Sequence, residues 1–186
     1  MFKIFLKYKK VKMLDISKKR IFCLKNVSIG VLLVAKSHKG ICDIALGDTT
    51  EQLFQEVMLR FGDVQQVDDD RIFKREVAHI IAMIETPKLV RKHDFSLDIN
   101  GTIFQQKVWA VVCDVPCGET ISYKLLAQRI GMPNAFRAVA HACACNKLAL
   151  VIPCHRVVGK NGCISGYRWG NERKQILLQR EQNENI

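Results

Sequence analysis

The chain has 186 residues, 48% hydrophobic and 25% charged, with 29 Lys and Arg against 18 Asp and Glu for a net charge of +11. That length gives one large domain or two small ones with a real core, and the composition excludes a low-complexity, repetitive or fibrous protein. A basic balance favours an anionic partner, nucleic acid first. No segment approaches the ~20 apolar residues of a membrane span and none reads as a secretory signal, so a cytoplasmic protein without a membrane partner is expected.

In chain order, residues 1–20 form a basic tail. Lys3, Lys7, Lys9, Lys10, Lys12, Lys18, Lys19 and Arg20 face Asp15 alone. Such a tail adds non-specific phosphate affinity, unless translation starts at Met13 and the first residues are accessory. Ile21–Val27, Gly30–Ala35 and Ile41–Leu46 are rich in Ile, Val and Leu and predict three strands, with a turn at Ser37-His38-Lys39-Gly40. Residues 50–61 predict a helix with Leu53, Phe54, Val57, Met58 and Phe61 on one face, ended by Gly62. Residues 63–70 read as an acidic loop. A second helix over 70–85 carries Phe73, Val77, Ile80, Ile81 and Ile84 and stops at Pro87. This first unit, residues 21–90, predicts a small α/β domain. A boundary falls in the polar stretch around Pro87, and a second domain spans 91–186.

The second domain turns helical. Thr102-Ile103-Phe104-Gln105 is a capping box for a helix running to about Cys113. Ser122 opens a short helix to Ile130, with Leu125, Leu126 and Ile130 inward; Gly131-Met132-Pro133 breaks it, and another helix runs from Asn134 to about Cys145. Two short helices joined by a tight glycine turn form the helix-turn-helix pattern. Small residues at Ala135, Ala138, Ala140, Ala142 and Ala144, with Arg137 projecting, let this second helix press close to a nucleic-acid backbone. Leu148–Ile152 predicts an extended stretch. Val157-Val158 and Cys163-Ile164 flank an Asn-Gly turn and predict a hairpin, and a final helix covers 171–182.

The chemistry centres on Pro153-Cys154-His155-Arg156-Val157. A thiol becomes a strong nucleophile as thiolate, and adjacent cationic or basic groups favour that form. Cys154 is thus a candidate nucleophile and His155 a candidate base; the plainer alternative is a buried cysteine beside a surface histidine. The other cysteines (Cys23, Cys42, Cys113, Cys117, Cys143, Cys145, Cys163) lack Cys-x-x-Cys spacing and are expected to be reduced, small, buried hydrophobes. Cys143 and Cys145 point to different helix faces. No metal or other cofactor is expected, although Cys23, Cys42, His38 and His79 stay open as a distant ligand set.

The ordered set of Gly101-Thr102, Phe104-Gln105, Val108-Trp109, Pro116, Gly118, Ser122-Tyr123, Leu126-Ala127, Ile130-Gly131, Pro133, Arg137-Ala138-Val139, Asn146, Ile152 to Val158, Gly162, Ser165 to Gly170, Lys174, Leu177-Leu178 and Glu181 resembles the methylguanine-DNA methyltransferases, bacterial type. The match is dense over 97–181 and loose before it. Ala140 stands where many relatives have glycine. The resemblance implies a ribonuclease H-like N-terminal domain, an antiparallel sheet plus helices. A winged-helix-like domain carrying the active cysteine follows. It also implies suicide repair: the protein binds duplex DNA through the minor groove as a monomer and flips out an alkylated guanine. It then moves the alkyl group from the 6-oxygen to Cys154 once. Alkylated thymine is an open second substrate.

In this pattern Glu181 orients His155, which deprotonates Cys154 through a water, and Asn146 braces the turn before it. Tyr123 donates to the leaving guanine and helps rotate its phosphate. Arg137 enters the stack in place of the flipped base, with Ala135 and Ser122 also at the DNA. Pro153, Val157, Ser165, Trp109 and Tyr167 shape the pocket. Two rivals remain: a DNA-binding regulator with Cys154 as a redox or alkylation sensor, and a cysteine hydrolase that would turn over repeatedly.

Overall fold

The computed structural model describes residues 20–67, 70–90, 93–164 and 166–182. The expectations for the basic tail before Arg20 and for Ser165 lie outside these residues. Three strands, β1 (Arg20–Val27), β2 (Gly30–Ser37) and β3 (Gly40–Gly47), form an antiparallel meander. Their branched side chains fill the core, with Phe22, Leu32, Leu33, Ile41 and Ile44 fully buried. Helix α1 (Thr50–Phe61) starts where the Thr49 hydroxyl accepts from the Gln52 N–H, and it buries Leu53 and Val57. Helix α2 (Arg71–Glu85) starts at Asp70, whose carboxylate accepts from the Phe73 N–H at 2.8 Å; it buries Phe73, Val77, Ile80 and Ile84. The stripes read from the sequence are the ones that face the sheet.

The acidic stretch after α1 is only partly a loop. Val64–Gln66 forms β4, parallel to β1, and completes the order β3-β2-β1-β4. Three residues are too few for an alternating pattern to show in a sequence.

The second half contributes α3 (Ile103–Cys113), β5 (Ile121–Ser122), α4 (Tyr123–Arg129), α5 (Phe136–Ala144), β6 (Val157–Val158) and α6 (Asn171–Gln182). The result is a mixed α/β fold with a four-stranded sheet and six helices among the described residues. The capping box at Thr102 and Gln105 is made in both directions. Four expectations are corrected. First, α5 begins at Phe136 rather than Asn134, and its cap, Ala135, offers no side-chain acceptor. Second, Leu125 is 42% exposed; Leu126 and Ala127 take the inward positions. Third, Leu148–Ile152 is a turn rather than a strand: only Leu148 bridges, to Ile44, and Leu150 sits at φ 69°. Fourth, Val157-Val158 pairs in parallel with β5 instead of forming a hairpin with Cys163-Ile164; the Asn-Gly loop closes through the Gly159 N–H and the Cys163 carbonyl at 2.8 Å. The cysteines also divide. Cys23, Cys42, Cys143 and Cys154 are buried and Cys145 is intermediate, but Cys113, Cys117 and Cys163 are exposed at a helix end or in loops.

The two halves meet along β3. Its outer edge accepts isolated bridges from Leu97 and Leu148, and the Ile44 N–H donates to the Lys147 carbonyl at 2.8 Å. An edge strand with open backbone groups is thereby covered. Buried side chains run as one cluster from Phe22 to Leu177. Among the described residues, no helix is long and apolar enough to cross a membrane.

Candidate active site

Cys154 opens a single 3₁₀ turn, Cys154–Arg156, held between α3 and α6. Asn146, fully buried just past α5, fixes the approach. Its Nδ2 donates to the carbonyls of Leu148 (3.3 Å) and Ile152 (2.9 Å) and to Cys154 Sγ (3.3 Å); its Oδ1 accepts from the Leu148 N–H (2.8 Å). One amide thus uses both ends to fold residues 148–152 back and aim the thiol. This explains why an apolar run that looks extended becomes a turn.

Behind the thiol lies a buried relay. His155 Nε2 is 2.8 Å from Glu181 Oε1. Glu181 also accepts from Arg156 Nε and Nη2 at 2.9–3.2 Å and from the Gly118 N–H at 3.3 Å. Burial alone would raise the Glu181 carboxyl, but His155 and Arg156 outweigh it and bring it to about 2. An ionised carboxylate can only accept, so His155 carries its proton on Nε2 and presents Nδ1 as a base. That Nδ1 is buried without a hydrogen-bond partner among the described residues. Burial, partly offset by Glu181, holds the imidazole below its ordinary value, so it is neutral at pH 7.

The thiol itself differs from the expectation of a nearby cation lowering it. Arg156 turns away from Cys154; its Nη1 donates to the Val115 carbonyl at 2.7 Å and the rest of the guanidinium clamps Glu181. A hydrogen bond with Cys143 and burial push Cys154 well up, and the Asn146 hydrogen bond opposes them without prevailing. The resting group is a thiol, which needs a base on demand.

The other sequence candidates fall on several surfaces. Tyr123, first in α4, donates its hydroxyl to the Gly166 carbonyl at 3.4 Å; burial first, then Cys143 and Cys154, raise it to about 12, so it remains a donor. Ser122 caps α4, accepting from the Leu125 N–H at 3.1 Å. Tyr167 lies edge-on to His155, ring centroids 6.3 Å apart, with its hydroxyl buried and without a partner among the described residues. Val157 is buried, and its N–H closes the turn on the Cys154 carbonyl. Pro153 lines a cleft with Leu150, Val151, His155 and Glu181. Trp109 braces helices instead: its Nε1 donates to the Ala142 carbonyl on α5 at 2.9 Å, and its ring closes over Gly101. Arg137 is exposed on the first turn of α5, with Ala135 half-buried beside it.

Sequence reasoning gave no role to Lys174, although the residue is fully buried and its Nζ donates to the Val157 carbonyl at 2.6 Å. A lysine on a polar helix carries no local signal for such a place. Arg156 stood in the motif itself, but its direction was not readable. From Thr120 to Asn171 there are seven Lys and Arg and no Asp or Glu. Arg156 is held by Glu181, and the other six are exposed and leave the helix pair and the loops beside the active-site turn positively charged.

The profile of the family described as 6-O-methylguanine DNA methyltransferase, DNA binding domain, matches residues 103–183. The inducible methylated-DNA–protein-cysteine methyltransferase of Bacillus subtilis is 35% identical over 151 residues, covering 80% of this chain and 82% of the relative. The chain belongs to the methylated-DNA–protein-cysteine methyltransferase family. The regulatory protein ada of Salmonella typhimurium is 49% identical over 152 residues; these cover 82% of this chain but 42% of that protein, so the chain spans less than half its length. Among solved structures, a Mycobacterium tuberculosis OGT in complex with DNA superposes with a TM-score of 0.73 at 31% identity, covering 87% of this chain and 92% of that one. The methyltransferase profile takes in Tyr123, Asn146, Cys154, His155 and Glu181 alike. The four-stranded sheet lies outside it.

Proposed function

We propose that this protein repairs DNA by direct damage reversal, moving a methyl or other small alkyl group irreversibly from 6-O-methylguanine to Cys154, with 4-O-methylthymine as a second substrate to be tested. The observation that carries this reading is the buried Glu181–His155 pair, with a free imidazole base one residue from a thiol aimed by Asn146. In the reaction His155 Nδ1 takes the Cys154 proton through a water, and Glu181 stabilises the imidazolium. The sulfur attacks the alkyl carbon and the carbon–oxygen bond breaks. Its electron pair goes to the guanine, which takes a proton from Tyr123, and the proton held on His155 returns through water to Tyr123. Thiol and alkylated base become thioether and guanine. A thioether has no good leaving group, so each protein acts once.

Val157 backbone, Ser165 and Tyr167 are assigned to the guanine pocket, together with Pro153. The positive helix pair docks duplex DNA by its minor groove, where Arg137 replaces the extruded base and Ala135 and Ser122 approach the backbone. Residues 21–90 act as a ribonuclease H-like domain supporting a winged-helix-like domain, 91–186. The protein works as a cytoplasmic monomer, without a cofactor.

The test is intact-mass and peptide mass spectrometry after mixing with an equimolar duplex bearing one 6-O-methylguanine. One added methylene unit on Cys154, saturating at one per protein and absent in Cys154→Ala, is the expected result. An unmodified protein that still binds the duplex would sink the transfer reading.

A further inference from the structure

Helix α5 is not uniformly lean. Its first residue, Phe136, continues the inward stripe of Val139 and Cys143, yet it is 46% exposed because it stands at the helix end. The Arg137 guanidinium lies 6.0 Å from its ring centroid, at the limit of a cation–π contact. Met132, in the turn between α4 and α5, is 48% exposed, and Leu125 on α4 is 42% exposed. Three large apolar side chains thus stand in solvent on a segment with seven cations and no acid.

An apolar tip within a cationic field fits one kind of partner: apolar faces framed by anions. A duplex minor groove opened at one base step provides both, unstacked bases within and phosphates at the rim. Aromatic and aliphatic wedges that partly unstack a step are a general device of minor-groove proteins.

We propose that Phe136 is a second wedge: its ring enters the minor groove beside the extruded nucleotide, stacks on an exposed base and steadies Arg137 for its own insertion. The idea rests on the alkyltransferase reading and adds a positioning residue to it. Phe136 would then act on duplex substrate and be indifferent to a free base. As an uncharged residue it would also leave the counterion count of binding unchanged.

The experiment compares wild type, Phe136→Ala, Phe136→Trp and Arg137→Ala. Each reacts with a 6-O-methylguanine duplex and, separately, with free 6-O-methylguanine base, followed by the mass of Cys154. A duplex with 2-aminopurine next to the lesion reports unstacking by fluorescence. Phe136→Ala should slow the duplex reaction about tenfold, the loss that one stacking contact carries. It should lower the 2-aminopurine signal, keep the free-base rate and keep the salt slope of binding. Phe136→Trp should retain most of the duplex rate, and Arg137→Ala should reduce the salt slope. Equal losses on both substrates, or a wild-type duplex rate and signal in Phe136→Ala, would overturn the wedge. Because the fluorescence reads unstacking without transfer, a protein that never labels Cys154 would refute the alkyltransferase reading while the wedge is still decided.

Discussion

At the residue scale, Glu181 decides the most. It is the sole carboxylate in contact with His155 among the described hydrogen bonds, and it fixes which ring nitrogen is basic. Glu181→Gln presents an amide that can donate to Nε2, shifting the ring proton to Nδ1 and removing the base. The rate of Cys154 alkylation should fall by at least ~10²-fold, the low end of general-base contributions, measured with the free alkylated base so that DNA binding does not enter. The wild-type rate should stay flat as pH falls from neutrality and decline only below 6.5, because burial holds His155 beneath that ordinary value. Stability gives a second readout. The Glu181 carboxyl is depressed to about 2, so its contribution is complete above 4.5 and is lost as pH drops toward 2. Urea unfolding across that window should show a steeper loss in wild type than in Glu181→Gln; parallel curves would mean that Glu181 is not ionised in the folded relay.

At the element scale, α6 delivers Glu181 and the turn after α3 receives it. Gly118 occupies φ 84°, its N–H meets the Glu181 carboxylate, and a Cβ there would lie 2.9 Å from the Glu181 backbone oxygen. Gly118→Ala should cost about 2 kcal/mol, from the left-handed conformation together with the contact, read as a lower Tm. It should also slow transfer more than an equally destabilising change in α1, because the backbone shift moves the relay. Elements with long periodic or capping signals were legible in the sequence: β1 to β3, α1, α2 and the Thr102 capping box lie where the pattern placed them, and the final helix, α6, covers the expected residues. Strands of two or three residues were harder: β4 and β5 were not seen, and β6 was placed at Val157-Val158 but given the wrong partner, since such strands are fixed by their partners and not by their own composition. The turn at 148–152 escaped because its hydrogen bonds come from the side chain of Asn146 just before it, and an apolar run beside a single asparagine does not reveal that. Cys154 and His155 were readable as neighbours in sequence. Glu181, 26 residues further on, was readable only through the ordered resemblance, and the reversed role of Arg156 was not readable at all.

At the scale of the whole molecule, α6 is the strap between the halves. Toward the active site it turns Lys174 and Glu181; toward the N-terminal half it turns Arg173, to the β1–β2 turn, and Arg180, to α2. Arg180 Nη1 donates to the Ile84 carbonyl at 2.9 Å and pairs with Glu85 at the end of α2. Arg173 donates to the Ile29 carbonyl at 2.9 Å, to the Trp169 carbonyl at 3.0 Å and to Asp48. These Arg173 contacts differ in weight. Asp48 is 81% exposed, so its ion pair is screened and worth about 0–1 kcal/mol. The Ile29 carbonyl belongs to a buried turn residue and would lose a donor that water does not readily replace, a loss of about 1–3 kcal/mol. Asp48→Asn should therefore leave urea stability within ~0.5 kcal/mol, while Arg173→Met should lower it by about 2 kcal/mol. If the strap also holds the relay in register, Arg173→Met should slow alkylation of Cys154 by the free base although the residue touches no reacting group, and Asp48→Asn should not. Equal and small effects of the two substitutions on stability would show that the hold on the sheet is the surface pair alone, and that α6 positions Glu181 without help from the N-terminal half.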